Sequence, residues 1–206
     1  MKGKFITIEG CEGSGKSTQI KLIKEYFDEK KIPVIVTREP GGVPLAEKIR
    51  PLILGKSDVN VSPLAELLLY TTARAQHIDE LIRPALKSGK TVICDRFTDS
   101  TLAYQGYARG LDKELIKTLN DIALGGLKVD TTIFLDISPD EAFARKGGWD
   151  TNDRIESEAL DFHQRVYDGF RAIAAAEPNR VKVIDARDTA KKVFEKVIKA
   201  ICACLV

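Results

Sequence analysis

The chain has 206 residues, with 32 Lys and Arg against 30 Asp and Glu, a formal net charge of +2. So small an excess points to no broad nucleic-acid footprint, and any cationic site must be local. Hydrophobic residues at 44% and charged residues at 30% suit one globular domain, 1–206, rather than a disordered chain.

In chain order, Lys4–Glu9 (KFITIE) reads as a strand and Ser17–Lys30 as a helix with Ile20, Ile23 and Phe27 on one face. Pro33–Thr37, Thr91–Asp95, Thr131–Asp136 and Val181–Asp185 are further short β-branched runs, the kind buried on both faces of a parallel sheet. Between them Pro63–Lys87, Lys113–Leu124, Pro139–Lys146, Ser157–Ala176 and Thr189–Leu205 read as helices. Arg38–Pro44 and Arg145–Arg154 concentrate glycine, proline and charge and read as surface loops. The alternation predicts an α/β fold, a five-stranded parallel sheet flanked by helices on both faces. No window approaches the ~20 apolar residues of a membrane span. The opening apolar run meets Glu9 too early for a secretory signal. The four cysteines, Cys11, Cys94, Cys202 and Cys204, form no CxxC pair. They are expected to be free thiols in a reducing cytoplasm.

Gly10-Cys11-Glu12-Gly13-Ser14-Gly15-Lys16-Ser17 fits GxxxxGK[ST] and sits between a strand and a helix, where a phosphate-binding P-loop belongs. The glycines let successive N–H groups turn toward phosphate oxygens, and the helix N-terminus adds its positive end. Lys16 is expected on the β- and γ-phosphates of ATP, and Ser17 on Mg²⁺. Asp95-Arg96 closes the third strand. Asp95 is placed to hold Mg²⁺ through water, and Arg96 to reach the phosphates. Arg38, presented by the Pro40-Gly41-Gly42 turn, should join them at the C-terminal strand ends, where a parallel sheet opens its ligand crevice. No guanine-reading NKxD segment is present. Many cations on loops favour phosphoryl transfer to a second small substrate over a nucleotide switch.

REPGG after the second strand, DRFxxSxxAYQG after the third, a LLLYxxxRAQH helix and a DRIE segment follow in order. Together they resemble thymidylate kinase, a P-loop kinase of the nucleoside-monophosphate type. The resemblance implies transfer of the ATP γ-phosphoryl group to dTMP in the cytoplasm, by a homodimer, with neither nucleic acid nor membrane as partner. Tyr70 stands where the family stacks a ring on thymine, although an aromatic there also suits core packing. Arg74, one turn on, resembles the arginine that meets the base, and its donors suit a carbonyl and disfavour the amino group of cytosine. Ser100 lies in the same segment, and Thr101 takes a base-edge position often held by Asn. Tyr104 resembles the ring that leaves no room for a 2′-hydroxyl. Gln105 contacts base or phosphate, or braces the loop. Glu12 matches the acid near the acceptor 3′-hydroxyl, while Glu9 supports the loop from the strand end. Gln76 and His77 look structural.

The P-loop lacks the arginine that some thymidylate kinases place there, so the chain resembles the bacterial type whose lid supplies the catalytic cation. The lid is expected at about 145–156, hinged at Gly147-Gly148. Arg154 of DRIE is the preferred cation and Arg145 the second, with Lys146 also available. Glu156 orders the lid or the metal's water shell, and Trp149 has no assigned role. Leu64–Leu69 is a candidate stretch for the dimer face.

Overall fold

The computed structural model describes residues 3–56, 60–147 and 153–205. Five strands, β1 (Phe5–Glu9), β2 (Val34–Arg38), β3 (Thr91–Asp95), β4 (Thr131–Asp136) and β5 (Val181–Asp185), lie within a residue of their expected bounds. They form one all-parallel sheet in the order β2-β3-β1-β4-β5. β1 is central and buried at every residue, which is why it reads as a continuous apolar run rather than an alternation.

Side chains of β1 still alternate between faces. Ile6 and Ile8 pack with Ile20, Ile23 and Phe27 of α1 (Lys16–Glu29) and Val193, Val197 and Ile201 of α9 (Ala190–Leu205). Phe5 packs on the opposite face with Val92, Ile78 and Ile82. A third cluster joins Ala46, Ile49 and Ile53 of α2 (Pro44–Leu54) to Phe162, Val166 and Phe170 of α8 (Leu160–Ala176). Each fully buried side chain of this kind contributes about 1.5–3 kcal/mol.

The expected helix Pro63–Lys87 is interrupted. α3 (Pro63–His77) widens into a π-helical turn, Ile78–Ile82, before α4 (Arg83–Lys87). Pro84 cannot donate to the carbonyl four residues back and would crowd it, and the wider turn absorbs both defects. The helix expected from Ser157 starts only at Leu160. Before it, Asp153 Oδ1 accepts from the N–H groups of Ile155 (2.7 Å) and Glu156 (3.0 Å) and holds a tight turn. Two helical segments appear where none is expected: α2, whose Pro44 and Pro51 disguise it, and α5 (Thr98–Thr101) with the π-helical stretch Leu102–Ala108. α6 (Lys113–Leu124) and α7 (Pro139–Lys146) match expectation. No helix among the described residues is long and apolar enough to cross a membrane. Cys11 and Cys94 are buried, Cys202 and Cys204 half-buried, and all four are free thiols.

Because every strand is parallel, Glu9, Arg38, Asp95, Asp136 and Asp185 all end at one edge of the sheet. The site is built there.

Candidate active site

The phosphate loop connects β1 to α1. Gly13 has φ 76°, and a Cβ there would lie 2.5 Å from the Ala142 carbonyl oxygen of α7. Gly15 caps α1 in the left-handed region at φ 97°. Only glycine holds such a path without strain. No acid stands in the first turn of α1, so its N–H groups and positive end address the crevice unopposed. Lys16 folds back over the loop, donating to the carbonyls of Gly10 (3.1 Å) and Cys11 (2.9 Å). Burial, and then the Arg96 charge, push its pKa below the ordinary lysine value. Ser17 is exposed at the helix start. The Asp95 Oδ1 atom is buried and has no hydrogen-bond partner.

Arg96 adopts φ 65°, a costly backbone for a non-glycine residue. That turn swings its guanidinium into the crevice. Nη1 donates to the Gly10 carbonyl (3.2 Å) and Ser100 Oγ (3.3 Å), and Nη2 to Glu12 Oε2 (3.4 Å). Burial opposes its charge, but Tyr104, Glu12, Asp95 and Glu9 outweigh it and hold the pKa above the ordinary arginine value. Burial likewise pushes Glu12 up, and Lys16, Arg96 and Lys146 overcome it, bringing its pKa down to about 2.

Beside this loop lies a cavity lined by Glu12, Tyr70, Arg74, Arg96, Ser100, Thr101, Tyr104 and Gln105, together with Arg50, Glu39 and Phe97. Arg74 is only 1% exposed. Its Nε donates to Glu39 Oε2 (2.8 Å), Nη1 to Asn120 Oδ1 (2.7 Å) and Nη2 to Thr101 Oγ1 (2.9 Å). Three of the guanidinium's N–H groups are thereby engaged and two remain. Glu39 also meets His77 Nδ1 at 3.1 Å, and His77 Nε2 lies 2.7 Å from Thr37 Oγ1. A buried charge persists only with such pairing. The Tyr104 ring is wedged edge-on against Phe162 (6.2 Å) and Phe170 (6.3 Å), with the Arg96 guanidinium 5.2 Å from its centre. Gln105 Nε2 donates to Glu66 Oε1 (2.8 Å), a bracing contact.

Arg38 is not brought into this cavity. It is exposed and pairs with Glu47 at 3.0 Å. Arg50 of α2 is in the lining instead and donates to the Pro40 carbonyl at 2.7 Å. Sequence reasoning missed Arg50, Glu39 and Asn120. The i, i+3, i+7 spacing of Ala46, Ile49 and Ile53 was the available signal for α2, and it places Arg50 one turn beyond Ala46 on a neighbouring face.

The lid cations separate. Arg145 donates to the carbonyls of Ala186 (2.7 Å) and Arg187 (3.1 Å), beside a second hollow lined by Ser14, Gly15, Thr18 and the 186–190 loop. Lys146 Nζ sits between Glu12 Oε1 (3.2 Å) and Glu156 Oε2 (2.7 Å). Arg154, expected to face the phosphates, is held by α2 and α3 instead. It donates to the Ile53 carbonyl (3.0 and 2.8 Å) and pairs with Glu66 of α3. Glu66 is buried and uncompensated without its cations, and this holds Arg154 in place. Gly148 and Trp149 lie outside the described residues.

Comparisons with known proteins assign the chain's family. The family model described as "Thymidylate kinase" matches residues 8–197. The thymidylate kinase of Symbiobacterium thermophilum is 48% identical over 193 residues, covering 94% of this chain and 90% of that one. That of Pelotomaculum thermopropionicum is 49% identical, covering 97% and 93%. The crystal structure of thymidylate kinase from Ehrlichia chaffeensis superimposes with a TM-score of 0.78 at 37% identity, covering 98% of this chain and 99% of that one. A phosphate loop, a flanking cavity and nearly full-length similarity converge, and the chain belongs to the thymidylate kinase family.

Proposed function

We propose that the chain transfers the γ-phosphoryl group of ATP in line to the phosphate of dTMP, giving dTDP and ADP, and that the cavity beside the phosphate loop receives dTMP. The observation that carries this reading is one cavity that holds Tyr70, Arg74 and Tyr104 and opens onto Glu12 and Arg96 of the loop side. The two uncommitted N–H groups of Arg74 suit the thymine O4 carbonyl and would face the amino group of cytosine as donor against donor. Tyr70 offers its ring to the base. Thr101 and Gln105 border the base edge, and Ser100 lies beside Arg96. The fixed ring of Tyr104 leaves no space at the 2′ position, and Glu12 takes the 3′-hydroxyl.

On the donor side, Gly10 to Ser17 cradle the ATP phosphates, and Lys16 and Arg96 neutralise the moving group. Mg²⁺ fits the residues present, since the buried Asp95 Oδ1 lacks a partner and Ser17 stands at the loop's end. Ser17, and Asp95 through water, would hold it. When bound, it would supply positive charge that offsets the charge of the phosphates. The hollow under Arg145 suits the adenosine half, with the planar guanidinium over the base. Arg50 and Arg38 are the cations available to the acceptor phosphate, and Arg50 already lines the cavity. The acceptor oxygen is anionic at neutral pH, so no general base is required.

A cytoplasmic homodimer completes the reading. Leu45 (44% exposed) and Leu52 (59%) of α2, with Leu64 (47%) and Leu68 (45%) of α3, offer an apolar face that a second copy would cover. The test is ADP release with ATP·Mg²⁺ and each of dTMP, dUMP, UMP, dCMP, AMP and GMP. A strong preference for dTMP is expected. Turnover of another monophosphate instead would void the base-pocket assignments, and no turnover at all would void the reaction.

A further inference from the structure

In-line transfer spreads charge over the equatorial oxygens of the moving phosphoryl group, and a further cation beside Arg96 would stabilise it. Resting on the reaction just described, we propose that this cation is Lys146, held ready between Glu12 and Glu156, and that Arg154 is a positioning residue.

The geometry separates the three lid cations among the described residues. Arg145 is committed to the carbonyls of Ala186 and Arg187. Arg154 is committed to the Ile53 carbonyl and to Glu66, which is 1% exposed and whose other cation, Arg109, stands off at 3.4 Å. Withdrawing Arg154 would strip a buried carboxylate of its nearest partner. Lys146 is different. It is the last residue of α7, its side chain is 32% exposed, and its ammonium reaches the phosphate loop itself through Glu12 at 3.2 Å.

The two oxygens of Glu12 face two cations, Lys146 at 3.2 Å and Arg96 at 3.4 Å. The carboxylate thus marks an anion-sized position with positive charge on either side, at the mouth of the phosphate loop. A γ-phosphoryl group carries more charge than one carboxylate and competes for both. Glu156, at 2.7 Å, keeps the ammonium nearby until then. A compact ammonium on a flexible stem can make that short move, whereas the Arg154 fork is fixed on two partners. In the step itself, a dTMP phosphate oxygen forms its bond to the γ-phosphorus. The bond from that phosphorus to the β,γ-bridging oxygen breaks, and its electron pair leaves with ADP. Lys146 stabilises the charge and transfers no proton.

The experiment is single-turnover transfer with saturating ATP·Mg²⁺ and dTMP. Lys146→Ala is expected to slow the step about 100-fold, with KM for dTMP within about three-fold and an unchanged Tm. Lys146→Arg should recover most of the rate. Removing Lys146 also leaves Glu12 and Glu156 facing each other, so the double variant Lys146→Ala/Glu156→Gln is measured alongside. It should stay as slow as Lys146→Ala. A loss below about ten-fold in Lys146→Ala, or recovery in the double variant, would overturn the proposal. Failure of the unsubstituted protein to use dTMP would instead overturn the reaction on which it rests.

Discussion

The phosphate loop and the acceptor cavity lie side by side at one sheet edge, yet they are built in opposite ways. The loop is one run of eight residues, Gly10 to Ser17, whose chemistry is mostly backbone N–H groups, a helix end and one lysine. The cavity draws on α2, the α3 helix, the segments after β2 and β3 and the stretch from residue 153, and its polar groups are mostly side chains. A backbone site tolerates little change in conformation and much in side-chain type. A side-chain site has the reverse sensitivity, because each group is aimed by a partner from another element, as Arg74 is aimed by Glu39 and Asn120.

Substitutions can break or sharpen that contrast. The largest effect is expected from Lys16→Met, which removes the loop's one mobile cation. The rate at saturating substrates should fall by about 10³-fold or more, read as ADP release, with dTMP affinity little changed. Next comes Arg74→Gln. Losing the charged hydrogen bond proposed to the base and leaving Glu39 with His77 alone should lower kcat/KM for dTMP by roughly 100-fold, following a loss of about 3 kcal/mol. Its preference over dCMP should narrow as well. An unchanged preference would mean that another group reads the base.

Gly13→Ala tests the backbone side. At φ 76°, with a Cβ 2.5 Å from the Ala142 carbonyl, it should strain the loop by about 1–2 kcal/mol. KM for ATP should rise about ten-fold and KM for dTMP should not. Equal damage to both would show that the two regions are not separable.

The smallest effect concerns Glu9, which is buried and accepts from the Phe97 N–H at 2.7 Å and Ser100 Oγ at 2.6 Å. Burial, reinforced by Asp99, raises its pKa from 4.5 to about 7. A raised native pKa means that the folded state binds the proton more tightly. Its contribution to stability is complete below pH 4.5 and is lost as pH rises through about 7. Glu9→Gln should flatten that part of the Tm–pH curve, and an unaltered slope would assign the proton elsewhere.

The contrast also explains which parts of the molecule were legible beforehand. All five strands and the phosphate loop were readable because their signals are local: β-branched runs, glycine spacing, a lysine at the helix start. α2 was missed because Pro44 and Pro51 mimic turn chemistry, although both are accommodated in the helix. Tyr70, Arg74, Thr101 and Tyr104 of the cavity follow from the resemblance, but the partners that hold Arg74 and Arg154, namely Glu39, Asn120 and Glu66, lie 35, 46 and 88 residues from those arginines. No periodicity connects positions so far apart.

By itself the sequence determined the five strands, the phosphate loop after the first of them and the class of chemistry, since each follows from interactions among residues near in the chain. Only the tertiary structure decided which carboxylate each cation meets. Arg38 turns out to Glu47, Arg154 locks onto Glu66, and Lys146 reaches Glu12 across 134 residues. Coulomb attraction depends on distance in space, and in this fold the nearest carboxylate is set by packing rather than by position along the chain.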